Sequence, residues 1–347
     1  MSHSRGAISR GLLFATFCGV FLALAVGTVL VRHRSVKSSP GTEPPLAENL
    51  SILDSRGGLL FSSAAFDVTN GTIGVSPWDA PEEGRHRTEL RCERVHFAAG
   101  AGLCLTANRG AITTFSARVF DPEFRVRYTV PLKGVPSRAR VSPDGRRGAV
   151  TVFVSGDSYN STTFSTRTTL LDMSTGGQIA DLEEFAIIRE EKPFKAVDFN
   201  FWGVTFAQDG NRFFATLRTG GSIYLIEGNV DARSARILRD GIECPSLSPN
   251  NRRIVFKKRV SPSQWRLHVL DLDTLRDEPL AEARSVDDQV EWLDDRSIAY
   301  MIPSRESSGG GSDVWMVDVA GGEPPRLLLR RASSPVALKS RGETRTR

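Results

Sequence analysis

The chain has 347 residues, of which 40% are hydrophobic and 24% charged, and its formal net charge is +5. This composition is typical of a globular protein, and it excludes both a collagen-like chain and a largely disordered one. The mild charge, with no stripe of Lys and Arg between aromatic residues, predicts that no nucleic acid is a partner.

Residues 1–10 form a short basic tail, and residues 11–31 contain no charged side chain. A stretch of that length can cross about 30 Å of hydrocarbon, and basic residues before it suit a secretory signal or an uncleaved anchor. We expect a single-pass anchor in the cell membrane, with the bulk of the chain outside the cytoplasm. Cleavage near Ala25, which would secrete the protein, is the alternative. Basic residues lie on both sides of the segment, so charge leaves its orientation open.

Two polar segments frame the rest of the chain. Residues 32–49 are rich in Pro, Ser and acidic side chains and are interpreted as a linker. Residues 339–347 are basic and are predicted to be a disordered tail. Between these segments, residues 50–338 are expected to form the folded domain.

Two cysteines of this domain, Cys92 and Cys104, flank a predicted hairpin. Because an exported protein meets an oxidising environment, these two residues are candidates for a disulfide. The alternative is that both are small buried hydrophobic side chains.

The folded domain contains six similar units, each marked by an apolar residue just before a turn. The spacings between successive markers are 44, 44, 65, 41 and 46 residues, and the markers are Leu53, Phe97, Val141, Phe206, Leu247 and Leu293. After its hairpin, each unit continues with a loop and two alternating strands, as in Arg266–Ala281. Four short strands in about 44 residues make one propeller blade. The sequence therefore predicts an all-β, six-bladed β-propeller behind one N-terminal transmembrane helix or signal segment.

The hairpin turns recur because every blade needs the same bend. Ser142–Gly145 and Ser248–Asn251 place Pro at the first corner, Asp or Asn where a side chain can cap the turn, and Gly or Asn where φ is positive. A single blade cannot bury both faces of its sheet, so neighbouring blades must stack in a ring. Either Ser334–Ser340 or Leu50–Leu53 is expected to supply the strand that closes this ring.

The long interval of 65 residues indicates an insertion at Phe185–Asn200. Its mixed charges and aromatic residues suit a functional rim, because long loops in compact repeats are often functional. A loop or short helix that packs over a blade is the alternative.

The hairpins "VSPDGRR" and "LSPNNRRIVF", followed by strands such as "YLIEG" and "HVLDL", resemble the TolB-like (PD40-type) β-propeller repeat. The resemblance covers about residues 50–338 and is specific in the third and fifth units. It implies a propeller that binds a partner, as in TolB, or one that gates a hydrolase domain, as in prolyl-oligopeptidase relatives. We expect neither a hydrolase domain nor the additional α/β domain of TolB here.

Motifs of catalysis are not found. The sequence has no G-x-S-x-G elbow, H-E-x-x-H pair or phosphate-binding glycine loop. Acidic pairs such as Asp271/Asp273 and Asp287/Asp288 could bind calcium, but Asp after a strand is also ordinary turn chemistry. We therefore expect a protein that is not an enzyme and has no metal or cofactor. The alternative function is a propeller hydrolase or lactonase with a divalent metal in its channel.

The residues just ahead of each inner strand are expected to line the mouth of the central channel, where propellers commonly bind ligands. The candidate binding residues at this mouth are Arg138, Asn200, Trp202, Glu243, Gln289 and Glu291. The predicted partner is a protein or peptide of the cell envelope, bound by a monomeric, non-enzymatic scaffold.

Overall fold

The structure is a computed structural model, and it describes residues 44–53, 57–65, 69–154, 164–304 and 311–339. The predicted membrane segment at residues 11–31 and the basic tail from residue 340 onward lie outside the described residues. In the described part, no helix is long and apolar enough to span a bilayer.

Six separate β-sheets make up six blades, and their strands are numbered β1 to β26 in chain order. From the channel outward, blade 1 consists of β26 (Ala332–Leu338), β1 (Gly58–Ser63), β2 (Thr72–Pro77) and β3 (His86–Arg91). Blade 2 consists of β4 (Arg94–Ala98), β5 (Ala101–Arg109), β6 (Thr113–Phe120) and β7 (Val126–Leu132). Blade 3 consists of β8 (Val135–Val141), β9 (Arg147–Phe153), β10 (Thr166–Asp172) and β11 (Gln178–Asp181).

The remaining blades follow the same plan. Blade 4 consists of β14 (Asn200–Phe206), β15 (Arg212–Thr219), β16 (Ser222–Asn229) and β17 (Ser234–Asp240), extended outward by β12 (Ala186–Arg189) and β13 (Lys192–Phe194). Blade 5 consists of β18 (Glu243–Leu247), β19 (Arg253–Ser261), β20 (Gln264–Asp271) and β21 (Asp277–Pro279). Blade 6 consists of β22 (Glu291–Trp292), β23 (Ser297–Pro303), β24 (Ser312–Asp318) and β25 (Arg326–Leu329). Two short 3-10 helices, Leu50–Leu53 and Leu182–Glu184, complete the regular elements of the described residues.

The last strand of the described chain closes the ring. β26 pairs antiparallel with β1, with Leu59 opposite Ala337, and so forms the inner strand of blade 1. Val336 on this strand is fully buried. The placement of Leu53 before an inner hairpin is wrong, because Leu53 ends a 3-10 helix and leads into the second strand of the blade. Of the two candidate closing segments, the C-terminal one pairs in the sheet.

The recurring hairpins share one set of hydrogen bonds. In blade 3 the Ser142 hydroxyl donates to Asp144 Oδ1 at 2.5 Å, and it accepts the backbone N–H of Arg147 at 2.9 Å. Blade 5 repeats this arrangement, with Ser248 donating to Asn250 Oδ1 at 2.8 Å. The side chains of each Ser-Pro-Asp/Asn turn therefore replace the backbone partners that the tight bend removes.

Neighbouring hairpins are also bonded to each other. Arg147 Nη1 donates to the carbonyl of Gly210 in the next hairpin at 2.9 Å. Gln208 Nε2 donates to the carbonyl of Pro249 at 3.0 Å, and the backbone N–H of Asn250 donates to Asp295 Oδ1 at 3.0 Å. These contacts join blades 3 to 6 along one side of the ring, which we call the hairpin face. The opposite side carries the turns between second and third strands and the connections between blades, and we call it the mouth face.

The insertion predicted at Phe185–Asn200 forms the hairpin β12–β13. β12 runs parallel to β17 and pairs with it, so the hairpin widens the outer edge of blade 4. Arg189 lies over the rings of Phe194 and Tyr224, at 5.6 and 5.5 Å from their centroids. The hairpin thus covers an outer strand whose backbone groups would otherwise be exposed to solvent, and it does not rim the channel.

Candidate functional site

The centre of the ring holds a cavity of only about 30 Å³. It lies among the inner strands of blades 1, 2 and 3 and residues 288–291, at the start of blade 6. Its lining residues are mostly charged or polar: Arg94, Val95, His96, Arg138, Ala139, Arg140, Asp288, Gln289, Glu291, Ser334 and Pro335. A cavity of this size holds about one water molecule and no larger ligand.

Glu291 is the central acceptor of this cavity. Its Oε2 accepts a hydrogen bond from Arg140 Nη1 at 2.5 Å and lies 3.4 Å from His96 Nε2. Its Oε1 accepts the backbone N–H of Ala337 at 3.3 Å. One carboxylate of blade 6 is thereby tied to the inner strands of blades 1, 2 and 3.

Gln289, two residues earlier, reaches the two remaining blades. Its Nε2 donates to the carbonyl of Val204 in blade 4 at 3.0 Å and to the carbonyl of Pro245 in blade 5 at 2.9 Å. Residues 289–291 therefore contact the inner strands of all five other blades. Gln289 and Val290 precede the sheet, and β22 has only two paired residues, Glu291 and Trp292.

Both ionisable groups of this contact are shifted by their surroundings. Burial would raise the pKa of Glu291, but His96 and Arg140 outweigh it and hold that pKa below its usual range. Burial, with help from the Arg140 guanidinium, lowers the pKa of His96. The backbone N–H of Val141 donates to His96 Nδ1 at 3.1 Å.

A second charged group joins blade 5 to the segment before β22. The ammonium of Lys257, a residue with no exposed surface, contacts the carboxylate of Asp287 and lies 4.7 Å from the centroid of the Trp265 ring. Arg259 lies over the same ring, also at 4.7 Å. The Trp265 indole N–H donates to Glu243 at 3.0 Å. These contacts balance the buried charges within one blade and the segment beside it.

The structure brings three of the six predicted mouth residues together and separates the other three. Arg138, Gln289 and Glu291 line the cavity. Asn200 instead accepts the backbone N–H of Thr166 at 2.8 Å. Trp202 has no exposed surface and packs edge-on against Phe164, and Glu243 is held inside blade 5. Trp202 and Glu243 are buried and offer no surface to a ligand, whereas Asn200 is partly exposed.

Sequence reasoning missed His96 and Arg140, which supply the closest contacts to Glu291. The available signal was their position on the inner strands. Arg94 and His96 are two residues apart on β4, and Arg138 and Arg140 are two residues apart on β8. Because residues i and i+2 of a strand face the same side, each pair points to the same side of its inner strand, and all four line the channel.

The cysteines and the acidic residues that the sequence singled out have structural roles. Cys92 and Cys104 are bonded, with their sulfurs 2.01 Å apart, and connect the outer end of blade 1 to blade 2. Asp271 Oδ1 accepts the backbone N–H groups of Asp273 and Thr274, which is the capping of a turn. Within the described ranges, no group of three or more His, Cys, Asp or Glu side chains is arranged to hold a metal ion.

A second cavity of about 550 Å³ lies between blades 1 and 2 and is open to the surface. It contains Arg109, whose Nη2 lies 2.8 Å from a carboxylate oxygen of Glu93. Its lining residues are Asn70, Gly71, Glu89, Arg91, Cys92, Glu93, Thr106, Ala107, Asn108, Arg109 and Arg118. With three arginines and two glutamates, it is more suitable for a polar segment than for an apolar ligand.

Comparison with known proteins identifies the fold alone. No protein-family model matches the sequence, and no curated protein matches it. Among solved structures, TolB from Acinetobacter baumannii is similar over 82% of this chain, with 15% sequence identity and a TM-score of 0.54, and the match spans 66% of that chain. A structure of a nidogen/laminin complex is similar over 82% of this chain and 99% of the other, with 12% identity and a TM-score of 0.55. The chain is thus a six-bladed β-propeller that is closed by its C-terminal strand and similar in fold to TolB.

Proposed function

We propose that this protein is a non-enzymatic binding scaffold outside the cytoplasm, which recognises a protein or peptide of the cell envelope on its mouth face. In this proposal the propeller acts as a monomer. It is held at the membrane by residues 11–31, or released by cleavage near Ala25.

The observation that carries this proposal is the closed channel. Residues 289–291 contact five blades, and the remaining cavity of about 30 Å³ has no room for a substrate. Arg140 and His96 are engaged with Glu291, and Lys257 with Asp287. Because these charges stabilise one another, they are poor candidates for acid–base or metal-assisted catalysis. Recognition on the surface around the mouth needs no open channel.

Site-specific photo-crosslinking in cells tests the proposal. A photoreactive amino acid at position 94, at the edge of the cavity, is expected to yield one dominant crosslinked protein. The same substitution at Leu275, an exposed residue on the hairpin face, is the matched control and is expected to yield none. Equal crosslinking at both positions, or none at position 94, would contradict binding at the mouth.

Metal analysis separates this function from the hydrolase alternative. The purified protein is expected to contain no stoichiometric divalent ion, and its melting temperature should not depend on added calcium. A tightly bound ion with several degrees of stabilisation by calcium would instead favour the metal-dependent hydrolase or lactonase.

A further inference from the structure

Exposed aliphatic side chains are concentrated on the mouth face. Ile112 lies in the turn between β5 and β6 of blade 2 and is 81% exposed. Val135 begins the inner strand of blade 3, and Val197 precedes the inner strand of blade 4 and is fully exposed. Val260 lies at the end of β19 in blade 5 and is 54% exposed. Four consecutive blades thus each present an aliphatic side chain on the same face.

A basic side chain lies one to three positions before each of these residues. Arg109 precedes Ile112 and is 71% exposed at its side chain. The exposed residues Lys133 and Lys195 each lie two positions before a valine, and Arg259 directly precedes Val260. We call these eight residues the mouth-face patch: Arg109, Ile112, Lys133, Val135, Lys195, Val197, Arg259 and Val260. Three carboxylates lie close to these basic residues. Arg109 pairs with Glu93 at 2.8 Å and Arg259 with Glu243 at 3.1 Å, and Asp198, in the loop before β14, accepts hydrogen bonds from Thr219 and Gly220.

We propose that the mouth-face patch binds a protein segment in which acidic side chains alternate with aliphatic ones. This proposal rests on the proposed function and specifies the chemistry of the partner. The aliphatic residues offer apolar surface that burial would stabilise, and the basic residues favour a negatively charged partner and disfavour a positive one. The repetition over four blades fits an extended segment that follows the ring from loop to loop.

The cavity between blades 1 and 2 adjoins one end of this patch. Arg109 belongs to both, since it lines the cavity and precedes Ile112 by three positions. Arg91 and Arg118 also line it, so acidic side chains at one end of a bound segment would meet guanidinium groups there.

A protein partner is favoured over a lipid surface by the place where the chain enters the propeller. The backbone N–H of Ala47 donates to the carbonyl of Arg87 near the start of β3 at 2.7 Å. The N–H of Leu50 donates to the carbonyl of Pro122, in the turn between the third and fourth strands of blade 2. Both contacts lie toward the hairpin face, so residues 47–50 lie on the side of the propeller away from the patch.

The test is selection of a random peptide library displayed on phage against the full chain. Enriched peptides are expected to combine Asp or Glu with Leu, Ile or Val. A fluorescent copy of the most enriched peptide should bind the Ile112→Asp/Val260→Asp variant roughly tenfold or more weakly. The Lys133→Glu/Lys195→Glu variant should show a similar loss. Leu275→Asp, the matched control on the hairpin face, should bind as the unchanged protein does, and melting curves confirm that each variant is folded.

The possible results are distinguishable. Equal binding by the patch variants and the control, enrichment of basic peptides, or no enrichment would overturn the proposal. If Arg94→Gln lost binding and the patch variants did not, the patch would not be the binding surface, but binding at the mouth would still be supported. Binding to vesicles of phosphatidylglycerol and phosphatidylcholine, absent with phosphatidylcholine alone and lost in the patch variants, would assign the surface to anionic lipid and overturn the protein partner.

Discussion

Replacing Glu183 with Gln is expected to stabilise the propeller, and to do so more strongly as pH rises. Glu183 lies in the connection between blades 3 and 4, where its carboxylate oxygens accept the backbone N–H of Thr168 at 3.0 and 3.3 Å. Burial raises the pKa of Glu183 from 4.5 to about 8. The folded protein therefore keeps a proton on this group at pH values where the unfolded chain has released it.

The sign and size of the effect follow from this difference. Below pH 4.5 Glu183 is protonated in both the folded and the unfolded state, so it does not lower the free energy of unfolding. Between pH 4.5 and 8 the unfolded chain ionises first, so the free energy of unfolding falls as pH rises. A pKa difference of about 3.5 units at about 1.4 kcal/mol per unit sets an upper limit of roughly 5 kcal/mol. The amide of the Glu183→Gln variant would imitate the protonated form and still accept the Thr168 N–H, so it would avoid this loss.

Thermal unfolding followed by circular dichroism at about pH 5, 6.5 and 8 measures the effect. The melting temperature of Glu183→Gln should match that of the unchanged protein most closely at the lowest of these pH values and exceed it by several degrees at the highest. Glu184→Gln, which changes the exposed neighbouring carboxylate, should show no such trend. A gain that is the same at every pH, or equal in both variants, would refute the assigned cause.

Three further changes probe the ring. Reducing the Cys92–Cys104 disulfide, or replacing both cysteines with Ser, should cost about 3 kcal/mol and lower the melting temperature by several degrees. Asp287→Asn should cost about 3–5 kcal/mol, because the buried Lys257 ammonium loses its carboxylate. Adding Lys257→Met to it should recover part of that loss in urea unfolding. Glu291→Gln should destabilise the protein at neutral pH. The difference should shrink as the pH falls below 4.5, because the pKa of Glu291 is lowered in the folded protein and its stabilising contribution is lost as the carboxylate protonates.

The fold could be predicted from sequence because the repeated hairpin is a local feature. Ser142 and Asp144 make the hydrogen bonds of their turn with groups no more than five residues away. The same short sequence pattern can therefore be recognised in each blade that uses this turn. The end of the ring is different, since the pairing of Leu59 with Ala337 joins residues that are far apart in sequence. Local patterns do not specify such a pairing, and the placement of Leu53 is wrong for that reason.

The candidate site was only partly predictable, for a related reason. Of the predicted mouth residues, Gln289 and Glu291 line the cavity, whereas Trp202 is buried inside its blade. Near the start of a strand, neighbouring residues alternate between the channel and the space between blades. Only the register with the next strand decides which of them faces inward, and that register includes bulges such as the one after Trp202.

The closed channel links the stability of this propeller to the place where it can bind. A ring of six blades must resist opening at the seam between β26 and β1. Glu291 anchors β26 through its contact with Ala337 and also holds His96 and Arg140. The same contacts fill the space in which a channel ligand would bind. Because stabilising contacts occupy the channel, we expect a partner to bind at the loops around the mouth, where Ile112 and Val260 are exposed. Substitutions at Glu291 should therefore lower the free energy of unfolding and change the specificity of binding little. Substitutions in the mouth-face patch should change binding and leave the free energy of unfolding nearly unchanged.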